Sequence, residues 1–139
     1  MIQIDQNILN KIRDHLKDLS HIEENNLDDR LMTIPKHQHE LFIRYVHESK
    51  HLGNTELKMK KLYGELYKYY KYNDDRNWDT KGEIESQIYA DPKYQVLWRE
   101  FNEQKYIVEE LEGFLNNLKS LYYNIKEFIG LLKFQAGMF

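Results

Sequence analysis

The sequence predicts an all-α protein whose long helices carry heptad repeats and therefore form a helical hairpin or bundle. Only six glycines and two prolines interrupt 139 residues, which leaves room for few elements and few turns. Two long stretches repeat apolar residues at heptad spacing, and no segment alternates convincingly as a β-strand does. The charged fraction of 31% beside an apolar fraction of 41% is typical of long exposed helices rather than of a thick globular core.

A short amphipathic helix is predicted over residues 4–19, and an acidic segment over residues 21–30 follows it as a linker or a frayed helix. Together they define a candidate N-terminal region, residues 1–32, ahead of one helical domain over residues 33–139. The apolar positions of the first helix recur at helical spacing: Ile8, Leu9, Ile12, Leu16 and Leu19.

The second helix is predicted to begin at Thr33-Ile34-Pro35, because proline is tolerated in the first helical turn, and to continue to Tyr72. We call its buried heptad positions a seam. This seam is weaker than the later one, because Glu48 and Thr55 occupy two of its places. Its apolar members are Leu41, Tyr45, Leu52, Met59, Leu62, Leu66 and Tyr69.

A polar turn over residues 73–79 and a short third helix are predicted to separate the two long helices. Thr80 and Glu83 have the three-residue spacing of a capping box at a helix start. The third helix is therefore expected to run to about Tyr89 and to bury Ile84 and Ile88.

The longest helix is predicted over residues 92–134. It begins at Asp91-Pro92, a capping carboxylate followed by proline at the first helical position. Its seam has one polar member, Gln104, among Tyr94, Leu97, Phe101, Val108, Leu111, Leu115, Leu118, Tyr122, Ile125, Ile129 and Leu132. At 1.5 Å per residue the helix is roughly 60 Å long, too long for the core of one such chain to cover. We therefore expect it to pack against other long helices, some of them from other subunits.

Candidate oligomerisation residues lie in the C-terminal half of this helix. They are Leu111, Leu115, Leu118, Tyr122, Ile125, Ile129, Leu132 and Phe134. The apolar tail that follows, with Met138 and Phe139, either frays or packs on a neighbouring subunit.

Composition excludes some classes and directs attention to the middle of the chain. There are no cysteines, so disulfides and thiolate metal sites are excluded. No secretory signal pattern and no run of bilayer length occurs, which predicts a soluble intracellular protein without a membrane partner. The net charge is −3, yet residues 33–72 contain eight basic and four acidic side chains. A polyanion would therefore bind best in this middle third.

Residues 47–51, His-Glu-Ser-Lys-His, match the HExxH pattern of zinc metalloproteases. Lys50 places a cation beside the supposed metal, and no third ligand is marked downstream. His37, His39 and Glu40 are a second weak candidate for a surface metal. A chance match explains the first better, and a solvated first helical turn explains the second better. No other catalytic signature is present. We expect no catalytic residues, no metal, no cofactor and no enzymatic activity.

Residues 58–72 combine five lysines with a high density of tyrosine. With Met59 and Leu66 on the seam, Lys60, Lys61, Tyr67, Lys68 and Lys71 are predicted on the exposed side, with Gly64 among them. Lysines neutralise phosphates and aromatic rings stack on unpaired bases, which is what sequence-independent single-strand binding requires. The candidate DNA-binding residues are Lys58, Lys60, Lys61, Tyr67, Lys68, Tyr70 and Lys71. The alternative is a solvated helix face whose tyrosines cover a neighbouring helix.

From about Pro35 onward the chain resembles the UvsY family of recombination mediators of T-even-like bacteriophages. A lysine-bearing helix ends in a tyrosine cluster at residues 66–70, and a polar linker and short helix follow. The C-terminal helix then closes with Tyr123, Ile125, Lys126, Ile129, Lys133, Phe134, Ala136 and Gly137. The chain departs from the family pattern at two places. Gly64, Glu65 and Leu66 stand where the family has a basic pair before its tyrosines. Leu132 stands where relatives often have arginine.

The resemblance implies an all-helical protein that assembles through its C-terminal region into a homo-oligomeric ring, a hexamer or a heptamer. It implies binding to single-stranded DNA and loading of a RecA-like (UvsX-type) recombinase onto strands covered by the phage single-strand-binding protein, in the cytoplasm of the infected bacterial host. The alternative class is a structural or adaptor coiled coil that binds only protein partners.

Overall fold

Four α-helices make up the computed structural model, which describes residues 6–73 and 80–137 apart from the side chain of Glu24. They are α1 (Gln6–Ser20), α2 (Leu27–Lys68), α3 (Lys81–Ala90) and α4 (Pro92–Gln135). A 3₁₀ turn, Glu24–Asn26, precedes α2, and a π-helical turn, Tyr69–Asn73, ends it. The described residues contain no strand, so the predicted all-α class is confirmed. Most of the predicted turn, residues 74–79, lies outside the described residues.

The second helix begins at Leu27, so its predicted start at Thr33-Ile34-Pro35 is wrong and Pro35 lies inside the helix. Proline in a helix interior removes a hydrogen bond and costs about 3 kcal/mol. The six added residues bury Leu27 at 4% exposure and pack Leu31 against the same core. Because burying one such side chain contributes about 1.5–3 kcal/mol, tertiary packing offsets the proline. Much of the predicted acidic linker is therefore helical.

One compact unit combines the described residues up to Glu48 with those from Ile107 onward. Its core is formed by α1, the first part of α2 and the last part of α4. Two polar contacts accompany this packing: Arg13 Nη2 lies 3.1 Å from Glu110 Oε2, and the Nε2 atoms of His15 and His37 are 3.3 Å apart. The buried core residues are Leu9, Leu16, Leu19, Leu27, Ile34, Leu41, Leu111, Phe114, Leu118 and Ile125.

A second unit, Ser49–Tyr106, contains the rest of α2, the π-helical turn, α3 and the start of α4. Leu66 on α2 packs with Ile84 and Ile88 of α3. Thr80 caps α3, since its Oγ1 accepts from the Glu83 N–H at 3.2 Å. These contacts confirm the predicted short helix, its cap and its two buried isoleucines.

The α4 start and the α4 seam are as predicted. Asp91 Oδ1 accepts a hydrogen bond from the Lys93 N–H at 2.9 Å, immediately before Pro92 begins the helix. Every seam position on α4, Gln104 included, is buried or half-buried. On α2 the polar seam residues Glu48 and Thr55 are buried too, at 2% and 5% exposure.

Candidate nucleic-acid interface

The five predicted lysines of α2 and its π-helical turn are all exposed: Lys58, Lys60, Lys61, Lys68 and Lys71. Within residues 6–73 and 80–137, one of them forms an ion pair, between Lys60 Nζ and Glu56 Oε1 at 3.5 Å. Both of these side chains are more than half exposed, and such surface pairs are worth about 0–1 kcal/mol. The positive charge of this surface therefore remains available to phosphate groups.

Gly64 lies at the centre of these cations. Residues three and four positions apart share one face of an α-helix, which places Lys60, Lys61 and Lys68 around it. Lys71 follows in the π-helical turn. We call these four lysines and Gly64 the lysine face. A Cβ atom built on Gly64 meets nothing within 4 Å, so the helix backbone is open to close approach at this point.

Replacing Gly64 by alanine is expected to raise the free energy of unfolding by about 0.5–1 kcal/mol, because alanine is the better residue inside a helix. The same methyl group should lower the affinity for oligo-dT, since it occupies the centre of the lysine face. Denaturant unfolding and fluorescence anisotropy measure the two effects. Gly113→Ala on α4, where a Cβ also meets nothing, is the matched control and should change stability alone. Unchanged affinity in Gly64→Ala would mean that the strand does not lie against this glycine.

The tyrosines divide into a supporting pair and an exposed pair. Tyr67 and Tyr70 pack against the Leu66 cluster, and the Tyr70 hydroxyl donates to Asp91 Oδ2 at 2.8 Å. Tyr69 and Tyr72 are 49% and 72% exposed. The predicted exposure of Tyr67 is therefore wrong, because its ring covers α3-side apolar groups and is half-buried. Its DNA-binding role, like that of Tyr70, remains a prediction.

The π-helical turn explains why Tyr69 leaves the seam. A π-helix accommodates more residues per turn than an α-helix, so the heptad register does not continue past Lys68. Tyr70 points inward in place of Tyr69. Sequence reasoning therefore omitted two exposed rings, Tyr69 and Tyr72, from the candidate site. The density of tyrosine marked them, but α-helical spacing could not assign their directions.

Lys71 lies between two rings at the end of the lysine face. Its Nζ atom is 5.7 Å from the Tyr67 ring centroid and 5.3 Å from that of Tyr72. Cation–π contacts at such distances are worth about 0.5–1 kcal/mol at exposed sites. The arrangement holds a cation beside an exposed aromatic face, the two kinds of group that single-strand binding requires.

Tyr63 anchors this region to α3. Its hydroxyl donates to Glu85 Oε1 at 2.9 Å, and its ring stacks on Tyr67 with centroids 6.4 Å apart. Burial, and then the Glu85 carboxylate, raise the pKa of Tyr63 to about 12. The phenol therefore stays protonated and keeps donating at neutral pH.

The HExxH segment shows no metal-binding arrangement. Glu48 is buried at 2% exposure, whereas His47 is exposed. No group of three or more histidine, aspartate or glutamate side chains that could hold a metal occurs in the described part of the chain, around His37 and His39 included. Neither the zinc candidate nor the surface-metal candidate gains support.

The candidate oligomerisation residues of α4 face the core of their own chain. Leu111, Leu118 and Ile125 are 0–1% exposed in the three-helix core, and Leu115, Tyr122, Ile129 and Leu132 pack against it. Within the single chain, α1 and the start of α2 cover this part of the seam. Its role in oligomerisation remains a prediction. Phe134 is different, with 71% exposure. Met138 and Phe139 lie outside the described residues.

A second apolar surface lies on the outer side of α4. Tyr123, Leu131 and Phe134 are 53%, 52% and 71% exposed, and their spacing of eight and three places them on one side of the helix. Gly130 lies on the same side. We call these four residues the outer stripe. It is an apolar surface that α4 leaves open near its C-terminal end.

Comparison with known protein families decides the identity of the fold. Residues 15–138 match the family model described as "Recombination, repair and ssDNA binding protein UvsY". The chain belongs to the UvsY family. The match covers almost the whole chain and confirms the resemblance that the tyrosine cluster and the C-terminal helix indicated. A comparison with curated protein sequences found no match.

Solved structures agree with this UvsY assignment at the level of the fold. Three crystal forms of the bacteriophage T4 recombination mediator protein UvsY align with the chain at 16% identity. For lattice type II the TM-score is 0.79, and the alignment covers 96% of this chain and 99% of that one. The other two give TM-scores of 0.75 and 0.77, with 91% and 90% of this chain covered. Among the described residues, no helix is long and apolar enough to cross a bilayer.

Proposed function

We propose that this UvsY-family protein is a non-enzymatic recombination mediator. It binds single-stranded DNA as a ring-shaped homo-oligomer, in the cytoplasm of the infected bacterial host. It then promotes loading of a RecA-like (UvsX-type) recombinase onto strands covered by the phage single-strand-binding protein. The observation that carries the proposal is the lysine face, four exposed cations around an open glycine on a chain of this family.

The lysine face supports phosphate binding through release of counterions. Each contacted phosphate of a single strand contributes about 0.7 to the slope of log affinity against log salt concentration. One face with four lysines binds weakly by itself. Repetition of the face around an oligomer adds avidity without new contacts, because each further contact becomes intramolecular.

The outer stripe supports the oligomer. Contiguous exposed apolar surface on a small protein is typical of an interface, and a second copy is the partner that a homo-oligomer supplies. We propose that α4 contacts the neighbouring subunit through Tyr123, Leu131 and Phe134. The seam residues behind the stripe then act by holding α4 in place rather than by touching the neighbour.

Replacing Lys60, Lys61, Lys68 and Lys71 together by alanine is expected to weaken oligo-dT binding and to flatten its salt dependence. If all four contact phosphates, the slope should fall by about three units per face. Anisotropy titrations at four salt concentrations measure both quantities, and light scattering checks that the solution mass is unchanged.

The matched control removes the same charge elsewhere, by alanine at the exposed Lys11, Lys17, Lys105 and Lys119. It separates contact at the lysine face from the general field of the protein, which both variants alter equally. An equal loss in the two variants, or an unchanged slope in the first, contradicts the assignment of the face. Absence of any salt-sensitive binding by the native protein favours the adaptor coiled coil instead.

Loading is tested by order of addition. Recombinase is added to DNA already covered by single-strand-binding protein, with native protein or with the quadruple lysine variant, and its DNA-dependent ATP hydrolysis is followed. Native protein should shorten the lag and the variant should not. If the native protein does not shorten the lag, the loading step is refuted, whereas the proposal of DNA binding is unaffected.

A further inference from the structure

An open cavity with aromatic walls lies where α3 meets the start of α4. Its volume is about 620 Å³, and it is lined by Tyr89, Tyr94, Gln95, Trp98 and Arg99. We call it the aromatic cavity. All five residues belong to the unit that also contains the lysine face. Sequence reasoning assigned no role to Tyr89, Trp98 or Arg99.

The walls of the aromatic cavity are accessible and its floor is fixed. Tyr89 and Trp98 are 54% and 53% exposed, whereas Tyr94 is half-buried. Tyr94 contacts Tyr89 with ring centroids 5.7 Å apart, at 50°. Gln95 Nε2 donates to the Tyr89 carbonyl oxygen at 3.3 Å, which ties α4 to α3. These contacts hold the cavity open without using the Trp98 ring.

We propose that the aromatic cavity takes one unpaired base of the bound DNA strand. The inference rests on the proposed function and extends the DNA path from α2 to the corner of α3 and α4. Trp98 and Tyr89 supply rings for stacking, and the Gln95 amide retains an oxygen and a hydrogen for the edge of a base. Arg99 supplies a guanidinium group for the adjoining phosphate.

Continuity with the lysine face identifies the occupant. Successive ring contacts run from Tyr67 to Tyr63, to Tyr94 and to Tyr89, with centroids 6.4, 6.5 and 5.7 Å apart. Lys71 lies over Tyr67 at the other end of this series. This series of rings thus joins the lysine face to the cavity, and Arg99 adds a further positive charge there.

Trp98 itself reports on the proposal. The sequence contains two tryptophans, and Trp78→Phe leaves Trp98 as the sole indole. Titration of this variant with oligo-dT should quench the indole emission in parallel with the anisotropy change, because a stacked base quenches the ring it covers. In the native background, Trp98→Ala should bind oligo-dT about tenfold more weakly, equivalent to about 1.4 kcal/mol. Trp98→Phe should restore most of that affinity, since it retains a stacking ring.

Tyr106→Ala is the matched control. Tyr106 is a ring on the same helix, 45% exposed, and it does not line the aromatic cavity. Its removal should leave oligo-dT affinity at the native value. Circular dichroism and light scattering on every variant establish that helicity and mass are those of the native protein.

Three results would overturn the proposal, and they are distinguishable. In the first, DNA binding is salt-sensitive, but Trp98 emission does not change and Trp98→Ala and Tyr106→Ala bind with equal affinity. This result would show that no base enters the cavity and would leave the proposed function intact. A lower solution mass for Trp98→Ala without DNA makes the cavity wall a contact between copies. Absence of oligo-dT binding by the native protein refutes both the cavity proposal and the proposed function.

Discussion

Replacing Leu131 and Phe134 together by aspartate is expected to reduce the protein in solution to monomers of 17.0 kDa while its helicity is retained. Both side chains are exposed in the single chain, at 52% and 71%, so the variant loses no packing within its own core. In an interface the two carboxylates would be desolvated beside apolar groups, and that cost prevents association. Sedimentation or light scattering measures the mass, and circular dichroism the helicity.

The same variant should bind oligo-dT at least about a hundredfold more weakly, because linking several weak sites raises overall affinity by about 10²–10⁴. Asn124→Asp with Gln135→Asp adds two negative charges to exposed polar positions of the same helix and is the matched control. If the control also dissociates, net charge rather than the outer stripe controls assembly. If the native protein is itself a monomer at working concentration, the ring proposal fails.

Local signals predicted several helix boundaries well. Thr80 and Asp91 cap α3 and α4 as expected, because a side-chain oxygen that bonds a helix N–H acts within three residues and needs no tertiary context. The start of α2 shows the limit of such signals. Pro35 favours a first turn locally, yet burial of Leu27 and packing of Leu31 extend the helix. That gain exists only once the three-helix core has formed.

Heptad periodicity predicted which residues are buried but not what buries them. The α4 seam is covered throughout, yet around Leu118 the cover comes from α1 and α2 rather than from a second copy. The repeat contains no information about the partner. A helix of the same chain and a helix of a neighbouring subunit both require apolar residues at the same heptad positions. The outer stripe, with Leu131 and Phe134, became evident only from exposure in the folded chain.

The candidate site was predicted in its charges and only partly in its rings. Placing Leu66 inward predicts that the lysines are exposed. Charged side chains favour water whether the buried side of the helix packs on its own chain or on a second copy. The rings beyond Lys68 depend on the π-helical turn, which exchanges Tyr69 for Tyr70 on the inner side. The aromatic cavity around Trp98 requires α3 and α4 to meet, and no spacing along one helix indicates it.

Leu118→Ala is expected to lower the free energy of unfolding by about 2–5 kcal/mol, the range for deleting a buried leucine side chain. Leu118 is 1% exposed and belongs to the cluster that joins α1, α2 and α4, so its loss leaves a cavity that close-packed neighbours fill only partly. Typical domains have a total stability of about 5–15 kcal/mol, which makes this a large fraction. Denaturant unfolding followed by circular dichroism measures it.

Leu57→Ala is the matched control, since Leu57 is 65% exposed on α2 and its truncation should stay within about 0.5 kcal/mol. All variants are compared at one protein concentration, because association stabilises folded subunits by mass action. The two explanations for the α4 seam then separate. A core residue destabilises the fold with the subunit number unchanged, whereas a residue between subunits lowers the mass while the dissociated chain keeps its stability. If Leu118→Ala lowers the mass while the dissociated chain keeps its stability, Leu118 does not pack in the three-helix core.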